Sequence, residues 1–136
     1  MGAWGHLPFD NDTTNDWAYG LEVVDDLSLV EAAFDEIEQV GADYLDQDVA
    51  CNALGACEVL ARILGRPGYT NVYTEKVDQW VEAHKVKPPS ALLKRASAAI
   101  DRILTSDSEL RELWDEGDSG DLWREAIEDL RARMRP

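Results

Sequence analysis

The chain has 136 residues, the size of one domain, with 45% hydrophobic and 30% charged residues. That balance excludes collagen-like, low-complexity and wholly disordered chains. Asp plus Glu number 28 against 13 Lys plus Arg, a net charge of −15 that repels nucleic acid, and no apolar run approaches a membrane span.

Apolar residues recur at helical spacing along almost the whole chain, and no segment alternates at period two over a strand length. The first predicted helix runs from Thr13 to about Leu21, with Asp12 as its N-cap. The second starts at Ser28, where Ser28-x-x-Glu31 reads as a capping box. Its stripe is Leu29, Val30, Ala33, Phe34, Ile37 and Val40, and Gly41 stops it. The third spans about 46–64, capped by Asp46 or Asp48 and followed by Gly65. After Asp48 its only charged residues are Glu58 and Arg62. A helix apolar most of the way round belongs at the centre of a fold.

Arg66-Pro67-Gly68-Tyr69 reads as a turn. A fourth helix covers Thr74 to His84, and Pro88-Pro89 separates it from a fifth over Ser90 to Thr105. Ser106-x-x-Glu109 reads as a second capping box that opens a short sixth helix with Leu110, Leu113 and Trp114 inward. The last helix runs from about Asp121 to Arg135, and Arg131, Arg133 and Arg135 suit the negative end of its dipole. The expectation is a single all-α domain over 1–136: a bundle-like fold of six or seven helices around a buried central one.

Cys51 and Cys57 are six residues apart, which on a helix separates them by about 9 Å along the axis and about 240° around it. That is too far for a disulfide, so free thiols are expected, and with them a reducing compartment. The N-terminal stretch has neither a basic nor an apolar signal region, and a cytoplasmic location is the expectation.

The charge is unevenly placed. Residues 1–61 contain fourteen acids and no Lys or Arg, whereas residues 62–136 carry fourteen acids and all thirteen bases. Acids at helix starts are explained by the dipole. Asp35, Glu36, Glu38 and Asp43 are not, because they fall late in or after the second helix. Either Lys94, Arg95 and Arg102 reach across to pair them, or they form a docking face for a basic partner.

Asp10-Asn11-Asp12-Thr13-Thr14-Asn15-Asp16 resembles half a calcium loop, but its position six is Asn15 and its position twelve Leu21, where glycine and glutamate are wanted. Asp10, Asp12 and Asp16, with His6 nearby, form the alternative reading: a small metal-binding protein or enzyme. No zinc-type histidine pair, nucleophile elbow or phosphate-cradling glycine loop is present, so no cofactor is expected and the balance favours a non-enzyme. Of the five tryptophans, Trp17, Trp80, Trp114 and Trp123 lie on apolar stripes. Trp4 lies outside any helix, as a plug for a groove of its own fold or as part of a binding pocket.

The opening Met1-Gly2-Ala3-Trp4-Gly5-x-x-Pro8-Phe9-x-Asn11-Asp12-x-x-x-Asp16-Trp17 resembles the bacterial domain-of-unknown-function 4259 family, whose members typically begin with this pattern. The stretch Glu58–Ala61 through Gly65-Arg66-Pro67 and the helix Trp123–Leu130 are similar too, so the resemblance covers nearly the full chain. Leu7 stands where many members have glycine. The resemblance implies small bacterial proteins and carries over no catalytic residue. It makes the motif residues Trp4, Asn11, Asp12, Asp16 and Trp17 a built-in feature, with Asn11, Asp12 and Asp16 expected to bond the backbone and cap the first helix. Function is then expected to be that of a non-enzymatic interaction module, of inhibitor or immunity type, for a basic protein.

Overall fold

The apolar run at 46–64 folds as the centre of the molecule. In a computed structural model of the chain, which describes residues 5–135, it forms helix α3, Gln47–Ile63. Around it lie α1 (Asp12–Ala18), α2 (Ser28–Val40), α4 (Glu75–Ala83), α5 (Ser90–Leu104), α6 (Glu109–Asp115) and α7 (Gly120–Arg133). Helix α3 contacts all six of them. Its small residues Ala50, Ala53, Gly55, Ala56 and Ala61 are buried, which lets neighbours approach from every side. Among the described residues there is no named strand, and an isolated parallel bridge joins Leu45 to Ser108. Among the described residues the chain is thus all-α, with seven helices, six of them around the buried α3, as its periodicity predicts.

The helix starts differ from expectation at three places. The cap of α1 is Asn11, not Asp12: the Asn11 side chain accepts from Thr14 N at 2.8 Å, and Asp12 is the first helical residue. An extended backbone at position 11 is what lets its side chain turn back on the helix. Asn11→Ala should therefore cost about 1 kcal/mol in urea unfolding, and Asp12→Ala clearly less.

At α2 the Ser28 box does not form. Asp26 Oδ1 accepts from Ser28 N at 3.0 Å instead, and hydrogen bonding from Ser28 holds the Asp26 carboxyl below its ordinary value. At α6 the helix begins at Glu109, two residues later than the Ser106 box implies. The reason is tertiary. Leu45 N donates to Asp107 O at 2.8 Å, Glu109 N donates to Leu45 O at 2.9 Å, and the Glu109 carboxylate accepts from Gln47 N at 2.8 Å. Glu109 caps the start of α3, where Asp46 also accepts from Asp48 N, rather than its own helix. The first helix also ends sooner than predicted, giving way at Tyr19–Val23 to a 3-10 turn.

Trp80 and Trp123 are buried, and Trp17 and Trp114 pack half-buried against the core. The Trp114 and Trp123 rings stack with centroids 6.2 Å apart. Trp4 and its two readings lie outside the described residues.

Candidate functional site

The centre of α3 holds a charge cluster. Glu58 is completely buried, and Arg62, one turn on, is nearly so. Glu58 Oε1 accepts from Arg62 Nε at 3.1 Å and from Arg133 Nη1 at 2.7 Å, and its Oε2 accepts from Arg133 Nη2 at 2.9 Å. The arginines are bonded on their other sides as well. Arg62 donates to Asp78 on α4 at 2.7 Å and to the carbonyls of Pro67 and Tyr69. Arg133 donates to Asp129 at 2.8 Å and to the Arg66 carbonyl at 3.1 Å. One carboxylate thus joins the central helix, the end of α7, the start of α4 and the 66–69 turn.

Tyr69 completes the cluster. Arg62 lies 5.0 Å and Arg133 6.0 Å from its ring centre, and its hydroxyl accepts from Phe9 N at 3.3 Å. Burial, and then the negative charge of Glu58, push the Tyr69 hydroxyl up. For Arg133 burial works against the charge, and the bonds to Glu58 and Asp129 outweigh it, so its pKa is raised. Both Glu58 oxygens are committed to guanidinium partners away from solvent, so this carboxylate holds structure and has no free face for proton transfer. Arg133 thus stays in the last turn of α7, as expected, but turns its guanidinium inward to Glu58.

The acids singled out late in α2 have mixed fates. Arg95 on α5 bonds Asp35 at 2.5 Å and Glu38 at 2.8 and 2.9 Å. Its hydrogen bond to Glu38, joined by that to Asp35, holds the guanidinium pKa above its ordinary value and outweighs the cost of burial. Arg102 turns to backbone instead, donating to Gly41 O at 3.0 Å and Asp43 O at 2.6 Å beyond the end of α2. Lys94, Glu36 and the Asp43 carboxylate have no ion-pair partner among the described residues.

Across residues 1–61, ion pairs among the described residues hold only Asp25 (with His84), Asp35, Glu38 and Glu58. Ten of the fourteen acids there therefore have no cation within 4 Å among the described residues. Among the described residues, four second-half cations hold second-half acids alone: Arg111 and Arg124 on Asp115, Arg131 on Asp101 and Glu128, Lys85 on Glu82.

The N-terminal acids do not converge. Among the described residues no group of three or more His, Cys, Asp or Glu is placed to hold a metal ion, so Asp10, Asp12 and Asp16 do not form one. Asp10 Oδ2 accepts from Leu7 N at 3.3 Å, and Asp12 and Asp16 stand exposed on α1. The backbone bonds expected of Asp12 and Asp16 are made by Asn11 and Asn15 instead, Asn11 donating to Pro8 O and Asn15 to Phe9 O.

With this geometry in hand, the family model described as Domain of unknown function (DUF4259) matches residues 2–126. The chain belongs to that family. Neither the curated proteins nor the solved structures yield a match. In this DUF4259 chain the matched span contains Glu58, Arg62, Asp78 and Tyr69 but ends before Asp129 and Arg133.

Both cysteines are free and buried. Burial, then the charges of Asp48 and Asp46, push the Cys51 thiol from its ordinary 9.0 to about 12, and burial pushes Cys57 up too. At about pH 8 the native protein should leave a disulfide reagent unreacted, and both thiols should react once denaturant is added. The unfolded chain gives up these protons first, so their contribution to stability is intact below pH 9.0 and is lost as pH rises toward about 12.

Proposed function

We propose that the protein is a non-catalytic interaction module whose acidic first half docks on a basic protein surface. The observation that supports it is that ten acids of that half have no ion-pair partner among the described residues, in a chain with thirteen Lys and Arg. Folding does not need an unneutralised half, and the repulsion among those acids opposes it. A basic partner relieves that repulsion and is steered to this surface by the same field.

Asp35 and Glu38, clamped by Arg95, are poor contact residues, because a partner would have to displace a bidentate arginine. Glu36 and Asp43 remain open to a partner. The stronger surface is the corner between α1 and α2. There Val23 is 85% and Tyr19 56% exposed, among Glu22, Asp25 and Asp26. Tyrosine and an aliphatic side chain within an acidic rim match the anatomy of protein interfaces, an apolar centre with polar surroundings. The Tyr19 ring already carries a cation, with Lys76 Nζ 3.8 Å from its centre.

The test is capture from a lysate of the native host, at about 50 mM and about 500 mM salt, followed by reconstitution with the purified partner. The expected result is a one-to-one complex with a basic protein, lost at high salt and lost in the variant Glu22→Lys with Val23→Ser. Binding indifferent to salt and to this variant, or no complex at low salt, would sink the reading.

A further inference from the structure

A groove between α5 and α7 has chemistry opposite to the rest of the molecule. It is about 250 Å³ in volume. Leu93 and Met134, both almost fully buried, form its base, and Ser90, Lys94, Ser97, Arg131 and Arg135 surround them. No acid lines it. Arg131 is held in place by Ser97 Oγ at 3.2 Å, Asp101 at 2.8 Å and Glu128 at 3.4 Å. The side chains of Lys94 and Arg135 have no hydrogen-bond or ion-pair partner among the described residues. In a chain with 28 acids, two unpaired cations beside a third, around an apolar base, are not what neutralisation would arrange. The groove also meets the start of α5 at Ser90. That fifteen-residue helix has no acid in its first turn and no side-chain cap, so its positive end adds to the field.

We propose that this groove binds a small amphipathic anion, with a carboxylate or phosphate head on a short alkyl chain. The head meets Lys94, Arg131 and Arg135, and the chain lies on Leu93 and Met134. The volume falls just under the roughly 300–1,000 Å³ of small-molecule sites, which sets the ligand at the small end. Acids farther away than about 8 Å do not forbid an anion here, because at physiological salt charges beyond that distance are largely screened. The inference is independent of the docking surface on the first half.

The experiment is methyl NMR on the full chain. Met134 is one of only two methionines, so its methyl resonance reports on the groove directly. Octanoate and octyl phosphate are titrated beside octanol and inorganic phosphate. Saturable movement of the Met134 methyl is expected with one or both amphiphilic anions, and the tighter of the two identifies the head. Octanol and inorganic phosphate should each bind at least about tenfold more weakly, as each lacks half of the chemistry. The variant Lys94→Gln with Arg135→Gln should weaken the anion about tenfold, the scale of a charge-assisted contact. Its melting temperature should not change, because both side chains are exposed and unpaired. Octanol binding as tightly as octanoate, a variant that binds undiminished, or an unmoved Met134 methyl would overturn the proposal. So would a short peptide with a free C-terminal leucine that binds where both amphiphiles fail, since the site would then be a peptide site.

Discussion

Replacing Glu58 with alanine should destabilise the protein by about 3–5 kcal/mol, the largest single-residue effect expected in the chain. The substitution removes no large volume. It strands two arginines, Arg62 and Arg133, whose guanidinium groups are turned inward with Glu58 between them. Each keeps one acid, Asp78 or Asp129, but both of those acids stand nearer to solvent and neither reaches the vacated centre. For a chain of this length the loss corresponds to a fall in melting temperature of about 10–15 °C. Glu58→Gln keeps the shape and one set of acceptor positions, so it should fall between wild type and alanine. A loss below about 1 kcal/mol for Glu58→Ala would mean that the two arginines find water, and that the cluster is not the fixed centre it forms here.

The cluster also explains why an apolar replacement of all three charges should not restore the protein, although such swaps are often neutral or stabilising elsewhere. Here the arginines serve backbone as well as carboxylate. Arg62 satisfies the carbonyls of Pro67 and Tyr69, and Arg133 that of Arg66. At Gly68 φ is +62°, and an added Cβ would lie 2.6 Å from Arg133 Nε, so the turn is shaped around the arginine. With methionine at positions 58, 62 and 133 the helices can still pack. The 66–69 turn loses its anchors, and with it Tyr69 and the Phe9 amide bonded to the Tyr69 hydroxyl. Faster hydrogen exchange in both segments, with α2 and α5 unaffected, is the corresponding signature.

Most of the fold is legible in the sequence because helical periodicity is a local signal. The burial of α3 follows from its lack of a polar face, and the stops at Gly41 and Gly65 follow from glycine after the last apolar position. Where the reading misses, a distant residue has taken over a local one. Glu109 has the spacing of its own capping box, yet it bonds Gln47, 62 positions away. Nothing within a few residues of Glu109 encodes that choice. The ionic cluster is a half-visible case. Two opposite charges at i, i+4 on an otherwise apolar helix are a signal that they meet inside. Arg133, 75 positions from Glu58, is not, because it has an equally good reading as a cation at the end of its own helix. The acidic asymmetry is fully legible as composition. Which acids Arg95 would claim is not, since that depends on α5 lying against α2.

Gly55→Val should be the next most damaging change, at about 3 kcal/mol, and it tests why the Asn11-to-Trp17 stretch has the residues it does. Helix α1 crosses α3 at Gly55. A Cβ there would sit 2.7 Å from Thr14 Cγ2 and 3.1–3.2 Å from two carbons of the Trp17 ring. Thr14 cannot simply turn its methyl away, because its hydroxyl donates to Cys51 O at 3.1 Å and the residue is fully buried. Helix α1 must therefore lift off α3, loosening the Asn11 cap as it goes. Gly55→Ala is milder, because the helix propensity gained by alanine, up to about 1 kcal/mol, offsets part of the clash. The atom responsible can be isolated. Thr14→Ser removes Cγ2 and keeps the hydroxyl bond, so Gly55→Ala should cost less in the Thr14→Ser background than in wild type. A double-mutant cycle should return a coupling of about 1 kcal/mol, favourable to the pair. Additive effects would place the constraint on the Trp17 ring instead, and the Trp17→Phe background would then be the one that relieves it.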